Sequence, residues 1–167
     1  MRYLALSIII LWVSSCSFKM NLTGGNVDTN LKTLTVMQFN NESPLVVAYH
    51  AQRFTEQIKD RFLTQSRLSL ININGDVQLS GSIINYTILP IAVAGVSSSG
   101  ATQNRMTIGV KVKYENRLNA NENWEQTFSS YFDFPASDNL SSVEKDYIEK
   151  INDQITQDIF NKSLGKW

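Results

Sequence analysis

The chain has 167 residues, with 15 Lys and Arg balanced by 15 Asp and Glu, one His and one Cys. A formal net charge of +0 disfavours nucleic acid as a partner, because phosphate backbones are bound by clustered surplus cations. A single cysteine excludes an internal disulfide, so stability must come from a packed core, and the length suits one domain able to build it.

In chain order, Met1-Arg2 precedes an apolar run from Leu4 to Val13, the small residues Ser14-Ser15, and Cys16. The run is too brief for a permanent membrane span and has the pattern of a secretory signal. Val13-Ser14-Ser15-Cys16 fits the bacterial lipobox, which is cut before a cysteine that carries a diacylglycerol thioether. Residues 1–15 are therefore expected to be a signal peptide that is removed, and Cys16 to be the lipidated amino terminus. Each buried methylene of an acyl chain such as palmitate stabilises attachment by about 0.8 kcal/mol, so two or three chains anchor the protein to the membrane without a spanning helix. Ser17-Phe18-Lys19-Met20 lack the acidic residue that retains lipoproteins at the inner membrane, which predicts the outer membrane and a periplasm-facing domain. Residues 16–30, with Gly24-Gly25, read as the lipidated terminus and a flexible tether, and residues 31–167 as a single domain.

Within that domain Leu34 to Phe39 read as a buried strand. Ser43-Pro44 has the chemistry of a helix opening, and Val47, Ala51, Phe54, Ile58 and Phe62 then give an amphipathic helix to about Gln65. After Asn74-Gly75-Asp76 the period becomes two, through Val77, Leu79, Gly81 and Ile83. The alternation slips at Ile83-Ile84 and resumes at Tyr86 and Ile88, as a bulge would cause, before Pro90 closes the strand. Ala92 to Asn104 read as a long connection. Met106, Ile108, Val110, Val112 and Tyr114 define a half-exposed strand, Asn119 to Asn123 a turn, and Trp124, Phe128, Phe132 and Phe134 a partner strand ended by Pro135. Ser141 with Glu144 matches a capping box, and Ile148, Ile151, Ile155 and Ile159 form the stripe of a helix of about five turns. The β-α-β-β-β-α order predicts an α+β fold, a two-layer α/β sandwich. In it one mostly antiparallel mixed sheet carries two helices on one face and leaves the other partly open.

No nucleophile with its base, metal cluster or phosphate loop emerges, so no catalytic, cofactor or metal residue is assigned. His50, the sole histidine, is expected at a surface or boundary position. With one histidine and Cys16 lipidated, a zinc site of the usual nitrogen and sulfur kind cannot be built. Glu144 with Asp146, and Asp153 with Asp158, read as a solvated helix face. Gly24-Gly25 and Gly95 through Gly100 lack the lysine and strand-to-helix context of a phosphate loop. Binding has better support: Lys111 and Lys113 project from one side of their strand with Arg105 at its start, a row suited to phosphates or carboxylates. The simpler alternative is that these charges keep an outer sheet face soluble.

Several runs share one order and spacing: Phe54-Thr55-Glu56 with Lys59-Asp60 and Phe62, Gly75-Asp76 leading to Gly81 and Tyr86, Pro90, Arg105-Met106-Thr107-Ile108, Asn139-Leu140, Val143-Glu144, and Asp158 to Lys162. With the lipobox, they resemble the lipopolysaccharide-assembly lipoprotein LptE family over nearly the whole mature chain. The sequence departs from it at Ser17, where family members often have glycine. The resemblance implies a non-enzymatic, cofactor-free part of the lipopolysaccharide transport machinery at the outer membrane. Such a protein plugs the lumen of an LptD-type outer-membrane β-barrel, assists its assembly and contacts lipopolysaccharide. By the same analogy Arg105, Lys111 and Lys113 are candidate contacts for lipid A phosphates or inner-core acids. The reading from another class is an outer-membrane lipoprotein that binds and regulates a periplasmic cell-wall enzyme.

Overall fold

A computed structural model describes residues 30–45, 49–91 and 103–165. Its elements are β1 (Thr33–Val36), β2 (Asn40–Asn41), α1 (His50–Gln65), β3 (Ser69–Leu70), β4 (Val77–Ile91), β5 (Gln103–Asn116), a short 3-10 turn (Ala120–Glu122), β6 (Trp124–Pro135) and α2 (Leu140–Leu164). One sheet runs in the order β3-β1-β4-β5-β6, with β2 also paired to β4. β1 is parallel to β3 and β4, and a parallel pair needs a crossover, which passes through α1. β4, β5 and β6 form an antiparallel meander. This is the expected α+β sandwich, with the two-residue strands β2 and β3 as additions.

Period-two patterning decides which sheet face is covered. Leu34, Val77, Leu79, Ile83, Met106, Ile108, Val110, Val112, Tyr114, Phe128 and Phe134 are buried. They form one core with Phe54, Ile58 and Phe62 from α1 and Ile148, Ile151, Ile155 and Ile159 from α2. The register of β4 against β5 shifts between Ile83 and Asn85, so Ile84 is the bulge that the broken alternation predicts.

Both helices differ from expectation in their caps, and the first also in where it starts. α1 begins at His50, and Ser43 is not its cap. Ser43 Oγ lies 2.6 Å from both Asn41 Oδ1 and the Leu45 carbonyl, so its hydroxyl closes a local turn after β2 instead. Val47 of the anticipated stripe lies outside the described residues. In α2 the cap position is Asn139, and the Ser141–Glu144 box does not form, because the Ser141 hydroxyl donates to Asn139 Oδ1 and Glu144 accepts the Tyr86 hydroxyl. α2 spans 25 residues, about seven turns rather than five. The buried Asn152 and Thr156 sit within its inner face, and Leu164 extends the stripe to the last turn.

Two local devices fix the sheet. The Asp76 carboxylate accepts the backbone N–H groups of Lys32 and Thr33, each at 2.9 Å, and the Thr33 hydroxyl at 2.8 Å, clamping the start of β1 to the start of β4. Those bonds hold the Asp76 carboxyl below its ordinary pKa. At Gly81 the Phe39 ring and the β5 backbone approach so closely that a Cβ would lie 2.1 Å from the Lys111 carbonyl oxygen and 2.7 Å from the Phe39 ring. Gly81→Ala should therefore destabilise the domain by about 2 kcal/mol in urea unfolding, through overpacking, and a neutral result would show that Phe39 is not seated there.

Candidate functional site

The uncovered sheet face is built by the residues that alternate with the core. Cross-strand rows run Leu89–Arg105–Asp133, Thr87–Thr107–Tyr131, Asn85–Gly109–Ser129, Ser82–Lys111–Thr127 and Ser80–Lys113–Glu125. Arg105, Lys111 and Lys113 thus share one face, as their spacing predicts, but each already faces a carboxylate. Arg105 Nε and Nη2 donate to Asp133 Oδ1 and Oδ2 at 2.7 and 2.8 Å, and its guanidinium lies 3.8 Å from the Tyr131 ring centre. Lys111 pairs with Glu125 at 2.5 Å and Lys113 with Glu115 at 2.9 Å.

Their protonation follows from this pairing. Glu125 raises the pKa of Lys111, Glu115 raises that of Lys113, and Asp133 raises that of Arg105. In return Lys111 lowers Glu125, and Arg105 lowers Asp133. All three cations stay charged through the neutral range, and the face carries alternating charge instead of a bare cationic row. Such solvent-exposed pairs add little stability. What they leave is a hydrated, hydrogen-bonding surface. Glu125 and Asp133 were missed in the sequence, although folding β6 back on β5 about the Asn119–Asn123 turn would have set them beside the basic residues, whereas Glu115 shares the face of Lys113 by alternation along β5.

On the helix side, the groove between α1 and α2 is shallow and polar. Arg53 pairs with Glu149, and Arg61 with Asp153 and Gln157. Asp153 and Asp158 keep the surface role expected of them, with Asp158 accepting from Gln154 at 3.0 Å. His50 contradicts its expected boundary position: it is fully buried, with Nε2 3.0 Å from Asn152 Oδ1 and its ring 6.3 Å from that of Tyr86. The bond to Asn152 satisfies one ring nitrogen, while His50 Nδ1 and Asn152 Nδ2 have no hydrogen-bond partner among the described residues, so the burial of this pair carries a desolvation cost. Burial lowers the His50 pKa, against smaller opposing effects of the Asn152 bond and Glu144. Glu144 is likewise half-buried and accepts the Tyr86 hydroxyl at 2.6 Å, so only Asp146 of that carboxylate pair lies on the solvated face. Burial and Glu144 together push the Tyr86 hydroxyl far above its ordinary pKa.

Among the described residues no group of three or more His, Cys, Asp and Glu is arranged to hold a metal ion, and no helix is long and apolar enough to cross a membrane. Cys16, Gly24-Gly25 and Gly95 through Gly100 lie outside the described residues.

A helix-backed mixed sheet with its second face polar, charge-balanced and open defines a small two-layer α+β domain. The LptE family model, described as lipopolysaccharide-assembly, matches residues 31–163, and the chain belongs to that family. It is, in general terms, a lipopolysaccharide-assembly lipoprotein of the cell envelope.

Solved structures with this fold include a protein from Xanthomonas campestris (TM-score 0.52, 13% identity, covering 83% of this chain and 89% of that one). Rare lipoprotein B from Shewanella oneidensis is similar at TM-score 0.51 and 9% identity, covering 78% and 92%. A PelC dodecamer from Paraburkholderia phytofirmans is similar at TM-score 0.50 and 10% identity, covering 86% and 95%. At such identities these likenesses concern the fold alone. No curated protein matches the sequence.

Proposed function

We propose that the protein is held in the inner leaflet of the outer membrane by acyl chains on Cys16, and that its domain plugs the lumen of an LptD-type β-barrel, assists the barrel's assembly and contacts lipopolysaccharide. It does so without catalysis or cofactor. The observation that carries this reading is the family match from residue 31 to residue 163, which takes in almost all of the folded domain. The open sheet face supports it physically. A wet barrel interior suits a surface of Thr, Ser, Asn and paired charges, where a dry interface would call for an apolar one.

Arg105, Lys111 and Lys113 remain the proposed glycolipid contacts, through exchange of partners. A lipid phosphate must displace Glu125 from Lys111 and Glu115 from Lys113, which a single-point ammonium contact permits more readily than the two-bond Arg105–Asp133 pair stacked on Tyr131. Substituting Lys111 and Lys113 together by alanine should weaken lipopolysaccharide capture several-fold while moving the urea midpoint little. Unchanged capture would reassign both to solubility.

Cys16→Ala should release the protein from the outer membrane and leave the thermal unfolding of the domain unchanged, whereas loss of the fold would contradict the tether. The functional test is depletion of the protein followed by assay of surface lipopolysaccharide. The expected result is loss of surface glycolipid with retention inside the cell, and undisturbed display would refute the proposal.

A further inference from the structure

We infer that the end of the sheet from which the amino-terminal arm departs is a membrane-docking surface for anionic phospholipid headgroups. This rests on the proposed acylation of Cys16 and adds a second, non-covalent contact. The starts of β1, β3, β4 and β6 and the end of β5 all lie at this end, because Thr33 pairs with Ser69, Leu34 with Val77, Val77 with Asn116 and Tyr114 with Trp124. The loops after β3 and β5 are tied together here, with Arg117 Nη1 donating to Asn74 Oδ1 at 2.9 Å and the Arg117 N–H to the Asp76 carbonyl at 2.8 Å.

Two large apolar side chains stand out from these joined loops: Ile73 is 74% exposed and Leu118 57% exposed, with Leu70 at the flank 40% exposed. Around them are the exposed cations Lys32, Arg67 and Arg117, none of which has an ion pair among the described residues. The nearby carboxylates keep their charge but are held in place, Asp76 by the Lys32 and Thr33 N–H groups, with the Lys32 charge beside it, and Glu122 by the Asn116 side-chain amide. Apolar tips ringed by exposed cations match an anionic interface, where the tips sink to the acyl boundary and the cations meet phosphates. The sheet's open face, by contrast, neutralises its lysines internally.

The length of the arm selects the bilayer as occupant. Fourteen residue steps separate Cys16 from Asn30, the first described residue, and these span at most about 50 Å when fully extended. β4, with 15 residues, is itself nearly as long, at about 3.3 Å per residue. The opposite end of the sheet, marked by Leu89, reaches the leaflet only if the arm runs fully stretched back along the whole strand. The Ile73–Leu118 end faces the leaflet without that cost.

Because Cys16 is the sole cysteine and is acylated in this reading, Ile73→Cys or Leu89→Cys introduces one free thiol for an environment-sensitive fluorophore. The acylated full chain would be placed in phosphatidylethanolamine vesicles with or without phosphatidylglycerol, after mass spectrometry has established the lipid on Cys16. Brominated lipid should quench the fluorophore at position 73 about threefold more than at position 89, the excess should need the anionic lipid, and Lys32→Glu with Arg117→Glu should abolish it. Equal quenching at both positions, or no dependence on anionic lipid, would overturn the inference, as would protection of position 73 only when the barrel partner is added. An unacylated Cys16 would instead be visible in the mass spectrum, as failure of the anchor reading itself.

Discussion

Phe54→Ala should lower the stability of the domain by about 4 kcal/mol, a large share of the 5–15 kcal/mol typical of such domains. Phe54 is fully buried, and its ring meets Phe39 edge to face with centres 5.2 Å apart. Phe39 in turn occupies the space left open at Gly81. One aromatic column therefore runs from Phe54 on α1 through Phe39 to the β4 backbone, and truncating its α1 member leaves a cavity that the sheet cannot close. The melting temperature should fall by about 15 °C, with the denaturant slope unchanged. Leu63→Ala, on the same helix but 39% exposed, should change stability by less than about 0.5 kcal/mol. Equal losses from the two substitutions would mean that α1 does not cover the sheet as described.

Asn152→Ala should cost about 3 kcal/mol, because it opens a cavity and strips His50 of its hydrogen-bonding partner inside the core. His50 also makes the domain sensitive to mild acid. Burial holds its folded-state pKa below the unfolded value of about 6.5, so between the two the unfolded chain binds more protons. The stability that His50 allows is complete above about pH 6.5 and declines as pH falls through the window beneath it. The groups facing the ring are Asn152, the Tyr86 ring and Glu144, and the favourable field of Glu144 narrows this window without reversing the sign. Urea midpoints at pH 7.5 and 5.5 check this. The wild type should lose stability between them, and His50→Gln, which keeps a donor for Asn152 without titrating, should lose less. Identical losses would place the acid sensitivity elsewhere. Asp76 acts in a separate, lower window, since its depressed carboxylate stabilises the fold at neutral pH and is lost only as pH falls below the ordinary Asp range.

The sheet was legible wherever the period-two pattern ran long enough to separate its faces. Met106 through Tyr114 gave the covered side of β5, and the slip at Ile84 gave the bulge, because shifting the register by one residue exchanges the faces. β2 and β3 were not legible, since two residues carry no period and their pairing partners lie far along the chain. The helix caps were misread for a related reason: the side chains of Ser43 and Ser141 bond to nearby residues of their own turns, and nothing local reveals that choice.

At the candidate site, alternation placed Arg105, Lys111, Lys113 and Glu115 on one face of β5, while the pairing of Arg105 with Asp133 and of Lys111 with Glu125 depended on how β6 folds back on β5. The burial of His50 was invisible because its partner is 102 residues away, as was that of Glu144, whose partner Tyr86 is 58 residues away.

The central claim is that a lipid-tethered domain acts by occupying another macromolecule, and affinity purification from detergent-solubilised outer membranes tests it most directly. Recovery of a large β-barrel protein in near-equal amount, with Cys16 acylated, is the predicted result. Recovery of a cell-wall synthase or hydrolase in its place, or of the protein alone and unacylated, would contradict it.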